Sequence, residues 1–180
     1  MPVDKNRSSQ GSSSAQGSSP ARKGPAILFV CTANIVRSPM AEGLFRARIK
    51  QERSDWQYWQ IDSAGTWAIN GEMAAKNARQ ALANRGLDII QHRSRTVTAD
   101  MLASYDLILT MEPGHKEALK IEFPFLAGRV YLLSEMEGQV FPVEDCYGSS
   151  LKAYEETAEK IDQILERGMA KIISLVKENE

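Results

Sequence analysis

The chain reads as an α/β protein: a four-stranded parallel sheet with helices on both faces, a three-layer sandwich. Two observations predict this. Short, continuous apolar runs recur along the sequence, the mark of strands buried on both faces. Segments of helical spacing separate those runs, and a long amphipathic segment closes the chain.

The elements follow in order. Met1 to about Gly24 is rich in Ser, Gly and Gln, with no large apolar residue beyond Met1 and Val3. Such a segment buries too little surface to offset its ordering entropy, so residues 1–24 are expected as a disordered tail and 25–180 as one domain. Ala26–Val30 is the first buried strand. Pro39 suits a first helical turn, with Ser38 as its N-cap, and Met40 to about Gln51 carries Leu44, Phe45 and Ala47 at helical spacing. Tyr58–Ala64 is the second strand. Ala74–Asn84 is a helix closed by Gly86. Asp106–Met111 is the third strand, Pro113–Ile121 a short helix, and Val130–Leu133 the fourth strand. Leu151–Lys177 places Ile161, Ile164, Leu165, Met169, Ile172 and Leu175 on one face of a long helix.

Composition narrows the function. At 180 residues and a formal net charge of -1, the chain offers no broad cationic surface for nucleic acid or membrane. No apolar run spans a bilayer, and the N-terminus lacks the apolar region of a secretory signal. Two cysteines and two histidines, far apart, make neither a disulfide framework nor a metal cluster. A cytoplasmic monomer is expected.

Cys31 stands at the carboxyl end of the first strand, where ligands bind in parallel sheets. The next residues, Thr32, Ala33, Asn34, Ile35 and Val36, lead into a helix at Arg37-Ser38-Pro39. Backbone N–H groups at such a junction form an anion site. The fork of Arg37 suits bidentate contact with phosphate oxygens. A cysteine in that field is held as its nucleophilic thiolate, with Ser38 as a further donor. Phosphoryl transfer to sulfur releases an oxyanion that needs a proton. The stretch Phe141–Gly148, after the last strand, offers Glu144 and Asp145, and chemistry alone does not choose between them.

The chain resembles the low-molecular-weight protein tyrosine phosphatase family over roughly Ala26 to Ile173. The resemblance rests on "CTANIVRS" with "PMAE", then "DSAGT" (Asp62–Thr66), "HRSR" (His92–Arg95) and "DLILTM" (Asp106–Met111) in the family's order. It implies Cys31 as nucleophile, Arg37 as phosphate clamp, Asp145 as general acid and then base, and Asn34 as the residue holding the loop's strained shape. Ser38 would assist the thiolate, and Ser63 and His92 would bond Asn34. Trp67 and Tyr147 would wall the pocket, and Trp56 and Trp59 would be structural. No metal or cofactor is implied; the partners are phosphotyrosine-containing proteins. His115 has no counterpart in these motifs and is expected to be exposed.

Three residues depart from the family's pattern. Ala33 replaces a usual Gly and is strained if that position needs positive φ. Val36 replaces a second loop cysteine. Cys146 replaces the Pro after the acid, and a reversible Cys31–Cys146 disulfide is weighed against a partly buried free thiol. Two other activities share the fold. Arginine phosphatases of this kind tend to carry Thr where this chain has Ile35, and arsenate reduction needs more cysteines than this chain has. A non-catalytic phosphopeptide-binding module is the reading from outside enzymology.

Overall fold

In the computed structural model, which describes residues 24–179, the sheet is built around β1 (Ala26–Cys31), buried at every position. Apart from Gly24, the tail expected over residues 1–24 lies outside the described residues. β1 is flanked by β2 (Gln60–Gly65) on one side and β3 (Leu107–Thr110) on the other, with β4 (Val130–Leu132) beyond β3. All pairings are parallel, and the order is β2-β1-β3-β4. The chain moves outward from β1 to β2, then crosses back over β1 to β3. The order therefore reverses at β1, and the crevice above its carboxyl end is where such sheets bind ligands.

Alternation along β1 divides the core into two layers. Ile27, Phe29 and Cys31 join the cluster formed with α1 (Arg37–Glu52), α2 (Lys76–Ala83) and α5 (Leu151–Asn179). Ala26, Leu28 and Val30 join the opposite cluster, with Leu102 of α3 (Ala99–Ala103) and Leu119 of α4 (Pro113–Glu122). The sandwich is three layers deep, as the apolar runs predict. Among the described residues, no helix is long and apolar enough to cross a membrane.

Several boundaries differ from the expected ones, for local reasons. α1 starts at Arg37 with Val36 as N-cap and no side-chain cap, so Ser38 lies inside the helix and its hydroxyl is used elsewhere. β2 starts at Gln60 because Trp56–Tyr58 closes into a short 3-10 turn. Trp59 packs on Phe45 in the core, whereas Trp56 is exposed beneath Lys50. α3 escapes the periodicity reading because it is a single turn. Its one signal is Thr98, whose side chain accepts from the Met101 amide.

Gly65, paired with Cys31 at the end of β2, lies directly under the loop that follows β1. A Cβ there would collide with the Thr32 carbonyl oxygen and come within 3.1 Å of the Asn34 nitrogen. Both are backbone atoms and cannot swing away. Gly65→Ala is therefore expected to cost about 1–3 kcal/mol in urea unfolding, as overpacking does, and to displace the loop above it. A variant as stable as the parent would show that the loop yields freely.

Candidate active site

After Cys31 the chain turns through residues 32–36 and enters α1 at Arg37. Among the described residues, Asn34 is the one non-glycine with positive φ, at 56°. The left-handed position thus falls one residue beyond Ala33, and the strain anticipated at Ala33 does not arise. Asn tolerates this region better than other side-chain-bearing residues. Its buried side chain then fixes the turn. Asn34 Nδ2 donates to Ser38 Oγ and Ser63 Oγ, each at 2.9 Å, and Oδ1 accepts from the Arg95 amide at 2.9 Å. The Asn34 carbonyl accepts from His92 Nε2 at 2.7 Å. The Asn34 amide points at Cys31 Sγ, 3.3 Å away, and Ser38 Oγ lies 3.0 Å from the same sulfur. Among the described residues, the amides of Ala33, Ile35 and Val36 have no acceptor. Unpaired amides around a left-handed residue make a nest for an anion.

Arg37 is only 2% exposed, and its guanidinium gathers the loops. Nη1 meets the Glu112 carboxylate and donates to the Val143 carbonyl at 3.0 Å. Nη2 donates to Asp145 Oδ2 at 3.0 Å, while Asp145 Oδ1 accepts from the Tyr147 amide at 3.1 Å. A cavity of about 340 Å³ opens between these groups, lined by Cys31, Thr32, Ala33, Ile35, Val36, Arg37, Asp145 and Tyr147. Of the two carboxylates that sequence left open, Asp145 lines the cavity and Glu144 does not. Trp67 is 85% exposed and lies outside the lining. Cys146 is also outside it, buried in the core with its thiol pKa raised by burial, which leaves it a poor nucleophile near neutrality.

Two residues at the site carry no motif. Glu112 directly follows the strand stretch at β3, and burial opposes its charge, yet the hydrogen bond and charge of Arg37 hold its pKa below the usual value. His115, expected at the surface, is 8% exposed: Nε2 sits 2.8 Å from Thr32 Oγ1, and Nδ1 is buried without a partner. Topology buries it: α4 leaves the sheet at the order reversal, and its first turn packs against the loop after β1. The only sequence signal for either residue is this position after β3.

Burial lowers the pKa of both His92 and His115 from 6.5, outweighing the Asn34 carbonyl at His92 and Glu112 at His115. The unfolded chain therefore binds protons at these histidines before the folded protein does. Their contribution to stability is complete above the unfolded value and is lost as pH falls below it, towards the folded pKa values. Urea midpoints at about pH 7.5 and about pH 5.5 are expected to fall on acidification, and to fall less in His92→Asn and His115→Asn. An equal drop in the parent and both variants would refute the assignment.

Residues 26–179 match the family described as low molecular weight phosphotyrosine protein phosphatase. The probable low molecular weight protein-tyrosine-phosphatase EpsP of Ralstonia nicotianae is 34% identical over 149 residues, 83% of this chain and 97% of that protein. The protein-arginine-phosphatase of Bacillus subtilis is 33% identical over 146 residues, 81% of this chain and 94% of its own. The crystal structure of a low molecular weight protein tyrosine phosphatase from T. tengcongensis matches with a TM-score of 0.77 at 36% identity, covering 82% of this chain and 99% of that one. Sequence and fold agree, and the chain belongs to the low molecular weight phosphotyrosine protein phosphatase family.

Proposed function

We propose that this protein hydrolyses phosphotyrosine in protein substrates through a phosphocysteine intermediate. One observation carries the reading: Cys31 and Arg37, at the two ends of the β1–α1 loop, and Asp145, from the segment after β4, line a single cavity whose other walls include Ile35, Val36 and Tyr147. A nucleophile, an anion clamp and a proton donor share that space with an apolar surface suited to an aromatic ring.

The unpaired amides of Ala33, Ile35 and Val36 and the guanidinium of Arg37 hold the phosphoryl oxygens and stabilise charge in the transition state. The Cys31 thiolate attacks phosphorus. The bond from phosphorus to the ester oxygen breaks, and protonated Asp145 gives its proton to the departing phenolate. Asp145, now a carboxylate, takes a proton from water as that water attacks the phosphocysteine. Phosphate leaves and the thiolate is restored. Arg37 Nη2 is paired with Asp145 beforehand, so an incoming dianion competes with Asp145 for the cation. Substrate binding is then the event that detaches the acid.

A second reading has one observation in its favour, the similarity to the protein-arginine-phosphatase of Bacillus subtilis. Ile35 weighs against it, since its alkyl side chain has no hydroxyl to orient attack on a phosphoramidate.

Steady-state hydrolysis of matched phosphotyrosine and phosphoarginine peptides, without added metal, separates the readings. Phosphotyrosine turnover is expected, abolished by Cys31→Ser and reduced by about a hundredfold or more by Asp145→Asn. A preference for phosphoarginine would keep the chemistry and reverse the substrate. Tight phosphopeptide binding with no turnover of either would make the chain a binding module.

A further inference from the structure

Glu42 lies on α1 outside the lining of the catalytic cavity. We propose that Glu42 is a positioning residue for the nucleophile: it fixes the direction of a hydrogen-bond chain that ends with the Ser38 hydroxyl proton on Cys31 Sγ. The proposal rests on the reading of Cys31 as a thiolate nucleophile.

The Arg95 amide donates to Asn34 Oδ1 at 2.9 Å, which settles the orientation of the carboxamide and turns Nδ2 towards the serines. Nδ2 has one hydrogen for Ser38 Oγ and one for Ser63 Oγ, each at 2.9 Å. Both serines therefore accept from Asn34, and each keeps a single hydrogen to give. Ser63 gives its hydrogen to Glu42 Oε2 at 2.7 Å. Ser38 has Cys31 Sγ at 3.0 Å and the Ala64 carbonyl at 3.4 Å. The sulfur is nearer and, as an anion, is the stronger acceptor.

Glu42 makes this direction one-way. An ionised carboxylate only accepts, so it cannot donate to Ser63. Its other oxygen accepts from Arg46 Nη2 at 2.8 Å, which anchors the group on the helix. With a donor in place of Glu42, the Ser63 hydrogen would swing towards Asn34 and meet the Nδ2 hydrogen. Asn34 would have to shift, and with it the hydrogen bond that commits Ser38 to the sulfur. Glu42 thus acts on the thiolate through three intervening side chains without touching it.

The test reads the sulfur directly. The rate of Cys31 alkylation by iodoacetamide, a neutral reagent, is measured against pH for the parent, Glu42→Gln, Ser63→Ala and the double variant. Glu42→Gln keeps the shape but leaves one acceptor oxygen for two donors, the Ser63 hydroxyl and Arg46 Nη2, and turns an N–H2 towards whichever loses it. The pH of half-maximal rate is expected to rise in each single variant, giving a threefold to tenfold slower reaction on the acidic side, roughly the loss of one charge-assisted hydrogen bond. The double variant is expected to add little, because both changes cut the same chain. In turnover, kcat is expected to fall with KM nearly unchanged.

An unchanged alkylation profile in Glu42→Gln, with a lowered melting temperature, would overturn the proposal and leave Glu42 a structural residue. If that variant does not fold, an unchanged profile in Ser63→Ala overturns it equally. Alkylation needs no substrate, so a chain that fails to hydrolyse phosphotyrosine but still shows the shift would refute the substrate assignment and support the role of Glu42. A parent whose Cys31 is not alkylated across the pH range would refute both.

Discussion

The left-handed backbone at Asn34 is the constraint on which the site depends. A side-chain-bearing residue there costs about 1–2 kcal/mol. That cost persists only where the surroundings over-determine the conformation. Here they do, because Ser38, Ser63, Arg95 and His92 all bond Asn34, from α1, from β2 and from the segment that follows α2. Gly65 supports the same turn from below by leaving room for it. Because Asn34 is pinned, the amides beside it stay unpaired and the Cys31 sulfur stays within reach of Ser38.

A second demand comes from charge. A guanidinium as buried as Arg37 is expensive to desolvate and must be paired. Its partners are Glu112 after β3, and the Val143 carbonyl and Asp145 after β4. One buried cation thus ties together loops from three strands. The crossover that places β1 between β2 and β3 makes this possible, since it brings the carboxyl ends of β1 and β3 side by side.

Much of this was legible in the chain, and the legible parts share a property. β1, β3 and α5 announce themselves because burial on both faces, or on one helical stripe, writes a local pattern. Cys31, Arg37 and Ser38 bracket one short loop, between the end of β1 and the first turn of α1, so their spacing is itself a signal. Glu112 and His115 lie 75 and 83 positions from their partners in that loop, and nothing local marks a distant contact. Sequence does not place His115, because an isolated histidine carries no pattern and only the strand order reveals what it packs against. Ser38 has the sequence signature of a cap, a Ser before Pro. Its hydroxyl instead answers to the sulfur and to Asn34. That the left-handed residue is Asn34 and not Ala33 is a matter of one dihedral angle that composition does not encode.

A loop whose anion-holding groups are main-chain amides has a consequence for how such a protein diversifies. Every residue except proline carries an N–H. On the reading given above, positions 33, 35 and 36 can exchange side chains without dismantling the grip on phosphate, and Ile35 and Val36 also line the cavity. The apparatus of capture and the choice of ester are therefore inherited separately. Change at two or three cavity-lining side chains is then enough to alter which phosphorylated residue fits, while Asn34 and Gly65 hold the turn.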